Sequence, residues 1–160
     1  ELPEVDGVCG TGDFEDVASV IEKIKEKRGV YLKGCMNAPL DSKDRILTTP
    51  SYTAYLKIAE GCDNHCTYCV IPSIRGKYRS RTPESIISEA KELAEKGVKE
   101  LIIIAQDTTY YGLDLYRRRA LAELLQKLSE VEGIEWIRIH YSLVSLLSSS
   151  ISLFILAAFS

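Results

Sequence analysis

Apolar residues recur at helical spacing in three stretches of the chain and gather into β-forming runs in three others. Phe14, Val17, Ala18, Val20, Ile21 and Ile24 share one helical face, with Glu22, Lys23, Lys25 and Glu26 facing out. Val5 and Val8 precede that helix as a short strand, and Gly10-Thr11-Gly12-Asp13 make the turn between them. Gly10-x-Gly12 lacks the third glycine of a dinucleotide site, so it reads as plain helix entry rather than a phosphate cradle. Tyr52 to Ile58 is rich in β formers and predicts a strand. Thr82-Pro83-Glu84 is a helix start: a hydroxyl cap, proline at the first helical position, then an acid in the first turn. Ile86, Ile87, Ala90, Leu93 and Ala94 form the apolar face of that helix, and Gly97 stops it. Leu101 to Ala105 is a continuous apolar run, the mark of a strand buried on both faces. Leu121, Leu124, Leu125, Leu128 and Val131 line a further helix, and Trp136 to His140 a third strand.

From residue 52 the order is thus β-α-β-α-β with short connections. Right-handed crossovers then give a parallel sheet with helices outside. Ligands of such sheets sit at the carboxyl ends of the strands, so the functional loops are those after Ile58, Ala105 and His140. Residues 29–51 carry Gly29, Gly34, Asn37, Pro39, Asp41, Ser42, Asp44 and Pro50, a density of breakers that predicts a linker. Residues 1–28 read as the end of a preceding unit, because one strand and one helix cannot bury both of their faces.

Composition changes this picture at the carboxyl end only. The chain has 160 residues and a net charge of −3, which argues against a nucleic-acid binder that is basic throughout. All charged residues precede Ser142, and residues 142–160 hold seven serines and twelve apolar residues. That tail is nearly the length of a membrane span, but its serines dilute it and no basic residue follows it. Substituted, frame-shifted or truncated sequence is the favoured reading, ahead of a helix packed on the sheet or a membrane anchor.

The chemistry lies in the cysteines, at positions 9, 35, 62, 66 and 69. Their odd number and the bunching of three in the loop Glu60-Gly61-Cys62-Asp63-Asn64-His65-Cys66-Thr67-Tyr68-Cys69 argue against a disulfide framework. Thiolates select zinc, copper(I) or iron–sulfur clusters. Structural zinc sites draw ligands in two separated pairs, and no second pair follows here, although His65 would complete a Cys₃His set. Three thiolates on one short loop suit three corners of a cubane cluster whose fourth iron stays open.

The CxxxCxxC loop after a first parallel strand resembles the radical S-adenosylmethionine (SAM) superfamily. The resemblance implies a 4Fe–4S cluster on Cys62, Cys66 and Cys69, with SAM chelated at the open iron. One electron from that cluster splits the sulfonium to give a 5′-deoxyadenosyl radical. Glu1-Leu-Pro-Glu-Val-Asp6, Gly10-Thr-Gly-Asp13, Tyr55-Leu-Lys-Ile-Ala-Glu-Gly-Cys62, Ile71-Pro-Ser-Ile-Arg-Gly-Lys-Tyr-Arg-Ser-Arg81 and Ile104-Ala-Gln-Asp-Thr-Thr-Tyr-Tyr-Gly112 further resemble the methylthiotransferases over residues 1–141. Ala105-Gln-Asp-Thr-Thr109 is similar to the RimO branch, which modifies an aspartate of a small-subunit ribosomal protein of the S-twelve type. The tRNA-modifying MiaB branch carries a Gly-Gln-Asn-Val type of sequence there.

The fold class so implied is α/β. It is a partial radical-SAM (βα) barrel with a parallel sheet over residues 52–141, preceded by the end of an amino-terminal methylthiotransferase α/β domain over 1–28. Tyr68 is expected beside the adenine. Gln106 and Asp107 are expected to contact SAM, and Arg138 and His140 to end the third strand at the same rim. Among the four cations Arg75, Lys77, Arg79 and Arg81, at least one is expected on the cofactor, with Arg81 the choice. Arg117-Arg118-Arg119 reads as a surface run. The family's second 4Fe–4S cluster is held by cysteines that precede the Glu-Leu-Pro-Glu-Val-Asp segment. Cys9 and Cys35 fall where no such ligand lies, and the 160 residues alone are not expected to complete the reaction. Expected partners are the ribosomal protein or the ribosome and a reductant such as flavodoxin or ferredoxin, in the cytoplasm and without a membrane. The competing readings are a tRNA methylthiotransferase and a non-enzymatic zinc-binding module.

Overall fold

Two parallel sheets organise the chain in the computed structural model, which describes residues 3–13, 16–32, 34 and 46–142. At the amino end, strand β1 (Gly7–Cys9) lies parallel to β2 (Gly29–Tyr31), and helix α1 (Val17–Glu26) connects them. The expected linker therefore starts too early. Gly29 reads as a breaker, but Val30 and Tyr31 are β formers and find Val8 and Cys9 as register partners. Cys35 and residues 143–160 of the tail lie outside the described residues.

The second unit opens with β3 (Thr53–Lys57). One residue later β4 (Ala59–Glu60) begins, and it pairs antiparallel with β5 (Arg79–Ser80). The cysteine loop and a short helix, α2 (Ile71–Arg75), hang between those two strands. Then follow α3 (Pro83–Glu95), β6 (Glu100–Ile104), a 3₁₀ turn (Thr108–Tyr110), α4 (Leu113–Tyr116), α5 (Leu121–Ser129) and β7 (Trp136–Ile139). The sheet order is β3-β6-β7, all parallel, so each strand joins beside its predecessor as in the wall of a (βα) barrel.

The sequence signals act as expected in α3. The Thr82 side chain accepts from the Ser85 backbone N–H, Pro83 occupies the first turn, and Gly97 turns the chain out at φ +89°. Leu56, Leu101 and Ile103 of the sheet, with Ile58 just beyond β3, are fully buried in one core with Ile86, Ala90 and Leu93 of α3 and Leu121, Leu124, Leu125 and Leu128 of α5. Each Leu or Ile so buried contributes about 1.5–3 kcal/mol. β6 is buried at Leu101, Ile102 and Ile103, so both of its faces are covered there, as its unbroken apolar run predicts.

Candidate functional site

The cysteine loop leaves the sheet at the carboxyl end of β3. Ile58 is pinned on both sides: its N–H donates to the Ile104 carbonyl at 3.0 Å, and its carbonyl accepts from the Arg81 N–H at 2.8 Å. After β4 the chain turns at Gly61, whose φ is +82°. A side chain at Gly61 would run into the Lys77 carbonyl, so the outgoing and returning limbs pack backbone against backbone. The Cys62 N–H donates to the Gly76 carbonyl at 3.2 Å across the same seam. Beyond it the loop coils on itself, with the Cys69 N–H donating to the Cys66 carbonyl at 3.0 Å.

Cys62 is buried, Cys66 exposed and Cys69 between the two, and all three are free thiols. Among the described residues, no three His, Cys, Asp or Glu side chains converge as ligands of a single ion. The neighbouring His65 is exposed. A cubane cluster binds each cysteine at a different iron, so its ligands need not meet at one point. The donor set, three unpaired thiols on one short loop, fits that group.

Two struts reach the loop from the carboxyl end of β6. The first joins Gln106 to Glu60, with the Gln106 Nε2 donating to Glu60 Oε1 at 2.8 Å. Glu60 also accepts from Lys57 Nζ at 2.7 Å and lies 3.6 Å from Arg75 Nη1. Burial pushes the Glu60 carboxyl up, but the Lys57 hydrogen bond and the charges of Lys57 and Arg75 outweigh it. With the Gln106 bond they hold the carboxyl below the ordinary carboxylate range. A carboxylate only accepts, so the Gln106 amide must turn its NH₂ to Glu60. Its Oε1 is left buried with no partner among the described residues. The second strut joins Asn64 Nδ2 to Asp107 Oδ2 at 2.9 Å. Asp107 Oδ1 accepts from both the N–H and the hydroxyl of Thr109, at 3.0 and 2.6 Å.

The remaining expected site residues divide. Tyr68 projects from the loop, 92% exposed. His140 stands at the carboxyl end of β7, where its N–H donates to Ile103 and its ring meets Tyr141 edge-on. Arg81, expected at the cofactor, is a buried strut instead. Its guanidinium pairs with Glu89 at 2.6 Å and also donates to the Lys57 carbonyl and the Ser85 hydroxyl. Arg138 reaches back to Glu100, the first residue of β6, at 2.6 Å. It therefore lies toward the amino end of the sheet, away from the cysteine loop, held there by its two hydrogen bonds to the partly buried Glu100 carboxylate. Glu60, Asn64 and Thr109 are not singled out by the sequence. Glu60 and Asn64 belong to the cysteine motif itself, but nothing in the linear text names partners 46 and 43 residues away. Tyr78 is equally silent in the text: its hydroxyl is buried without a partner among the described residues, and burial and the Asp107 charge push its phenol well above the ordinary range.

Among the described residues, no helix is long and apolar enough to cross a membrane. Three relatives bear on this geometry. A protein named ribosomal protein uS12 methylthiotransferase RimO, from a Thermoanaerobacter species, is 56% identical over 143 residues, which is 89% of this chain and 33% of that protein. Proteins of the same name from Caldanaerobacter subterraneus and Clostridioides difficile are 57% and 51% identical over 143 residues each, covering 89% of this chain. The chain spans about a third of the length of the curated relatives it matches. A solved radical SAM methyltransferase, TsrM from Kitasatospora setae, aligns with a TM-score of 0.37 and 21% identity over 47% of this chain and 12% of its own, a likeness too slight to bear on the site. The family described as the radical SAM superfamily matches residues 56–150, which hold the three thiols, both struts and most of the parallel sheet. Matched over more than half of its length, the chain belongs to the radical SAM superfamily.

Proposed function

We propose that this chain is the cofactor-binding part of a RimO-type methylthiotransferase, and that the whole protein adds a methylthio group to the β-carbon of an aspartate in ribosomal protein uS12. The observation that supports this most is the Cys62-x-x-x-Cys66-x-x-Cys69 loop at the carboxyl end of a parallel strand, in a segment 56% identical to a protein named for that activity.

Cys62, Cys66 and Cys69 would hold a 4Fe–4S cluster. When bound, the cluster supplies the electron that cleaves SAM. The protein's own task is to place and orient. Gln106 presents a buried carbonyl oxygen, fixed by its bond to Glu60, as an acceptor for the SAM ammonium group. Tyr68, next to the third thiol, offers an exposed ring for the adenine to stack on. His140 closes the same rim. Residues 1–28 with β2 belong to a preceding domain, which in the whole protein carries the second cluster. Cys9, exposed at the end of β1, is not one of its ligands. A flavodoxin or ferredoxin reduces the site, in the cytoplasm where ribosomes are found.

Anaerobic reconstitution with iron and sulfide tests the first step. The chain is expected to turn brown and bind about four irons, the Cys66→Ala variant to bind almost none, and Cys9→Ala to bind as much as the parent. One tightly held zinc and no iron would overturn the reading. The whole protein, reconstituted and offered uS12 and tRNA in separate reactions, is expected to add the methylthio mass to uS12. Mass gained by tRNA alone would assign it to the MiaB type.

A further inference from the structure

We infer that Asn64 and Asp107 form a clamp that positions the cysteine loop, and that Asp107 acts through Asn64 rather than by touching the cofactor. The inference rests on the loop being the cluster site. Asn64 sits between the first two thiols. Its backbone N–H lies 3.4 Å from Cys62 Sγ as a donor, and its side-chain amide donates to Asp107 Oδ2 at 2.9 Å. One residue therefore links the Cys62 sulfur to the loop after β6.

Asp107 is equipped to be the fixed end. It is 3% exposed, and Oδ1 is already bound by the N–H and hydroxyl of Thr109 as that residue enters the 3₁₀ turn. Three donors on one buried carboxylate leave it little capacity for a ligand. A charged acceptor also makes each of these bonds stronger than a neutral one. The neighbouring residue completes the hold: Asp63 Oδ1 accepts from the Tyr78 N–H at 3.0 Å. The segment 62–64 is thus tied to the returning limb on one side and to the loop after β6 on the other. Hydrogen bonds to cluster sulfurs and to the residues that carry them tune both retention and potential. Asn64 supplies the first directly, and Asp107 fixes the Asn64 side chain.

The amide–carboxylate pairing permits a reversal test. Asn64→Asp sets two carboxylates against each other and opens the clamp. Asp107→Asn alone is mild, because the Asn64 amide can turn its oxygen toward the new NH₂. The double variant Asn64→Asp/Asp107→Asn restores one hydrogen bond in the opposite sense, and the amide oxygen introduced at position 107 still accepts from Thr109. In reconstituted protein, Asn64→Asp is expected to lose its iron to a chelator about tenfold faster. Its reduced cluster is expected to give a shifted, broadened electron paramagnetic resonance signal. The double variant is expected to recover both. In the metal-free protein, peptides spanning 62–69 should exchange amide hydrogens faster in Asn64→Asp and regain protection in the double variant. Wild-type iron retention, spectrum and exchange in Asn64→Asp would overturn the clamp, as would a double variant no better than the single one. Failure of the unmutated chain to take up iron would instead remove the cluster reading, and the exchange measurement would still decide the clamp.

Discussion

Gly61 carries the tightest steric constraint near the thiols. Its positive φ costs an L-residue about 1–2 kcal/mol, and any side chain also meets the Lys77 carbonyl. Gly61→Ala is therefore expected to lower the denaturation midpoint and to reduce iron uptake more than its stability loss explains, because the seam that sets Cys62 must open. Equal uptake at saturating iron would show that the seam does not position the thiol. Tyr111 offers a different handle. Burial raises its phenol above the ordinary range, and its hydroxyl donates to the Arg81 carbonyl at 3.0 Å. A folded-state pKa above the unfolded value means the contribution is whole below about pH 10 and is lost as pH rises beyond it. Tyr111→Phe should cost about 1 kcal/mol at neutral pH and flatten the stability loss seen in alkaline denaturation. At this scale the cysteines are readable because their spacing is itself the signal. The Glu60–Gln106 and Asn64–Asp107 bonds are not, because each joins loops of two successive βα units that meet only after folding.

Among the elements, α3 has the clearest start. Thr82→Ala removes its side-chain cap, and a loss of about 1 kcal/mol in unfolding free energy, read as a lower urea midpoint with an unchanged slope, is expected. The ion pair that fastens α3 to the strand end is worth more to break. Arg81 and Glu89 are both buried, so Arg81→Met takes the charge partner from a buried carboxylate and should cost about 3–5 kcal/mol. Arg81→Met/Glu89→Leu should recover much of that, read as non-additive unfolding free energies. Elements with a long apolar period or a cap are legible from the text, as α3, α5 and β6 show. Those held by tertiary contacts are hidden. β4 and β5 are two residues each and exist only because they face each other, and α2, five residues from Ile71 to Arg75, is too short for a helical period to show. Gly29 misleads, since a strand of three residues needs only a waiting partner.

Across the whole molecule, protection should follow the sheet order. β6 is flanked by strands on both edges and buried at its centre, so its amides are expected to be the slowest to exchange, with β1 and β2 faster. A hydrogen-exchange profile in which β1 outlasts β6 would contradict that ordering. The order β3-β6-β7 also sets what each unit can do alone, because the cysteine loop leans on the next strand in line. The 43-residue reach between Asn64 and Asp107 is the plainest case. Grafting residues 60–69 onto another parallel-sheet scaffold would carry the three sulfurs across without the anchorage that shapes them. A working transplant has to bring the Gln106–Thr109 corner as well, so the smallest portable cassette is a pair of adjacent strand-end loops, not a ten-residue motif.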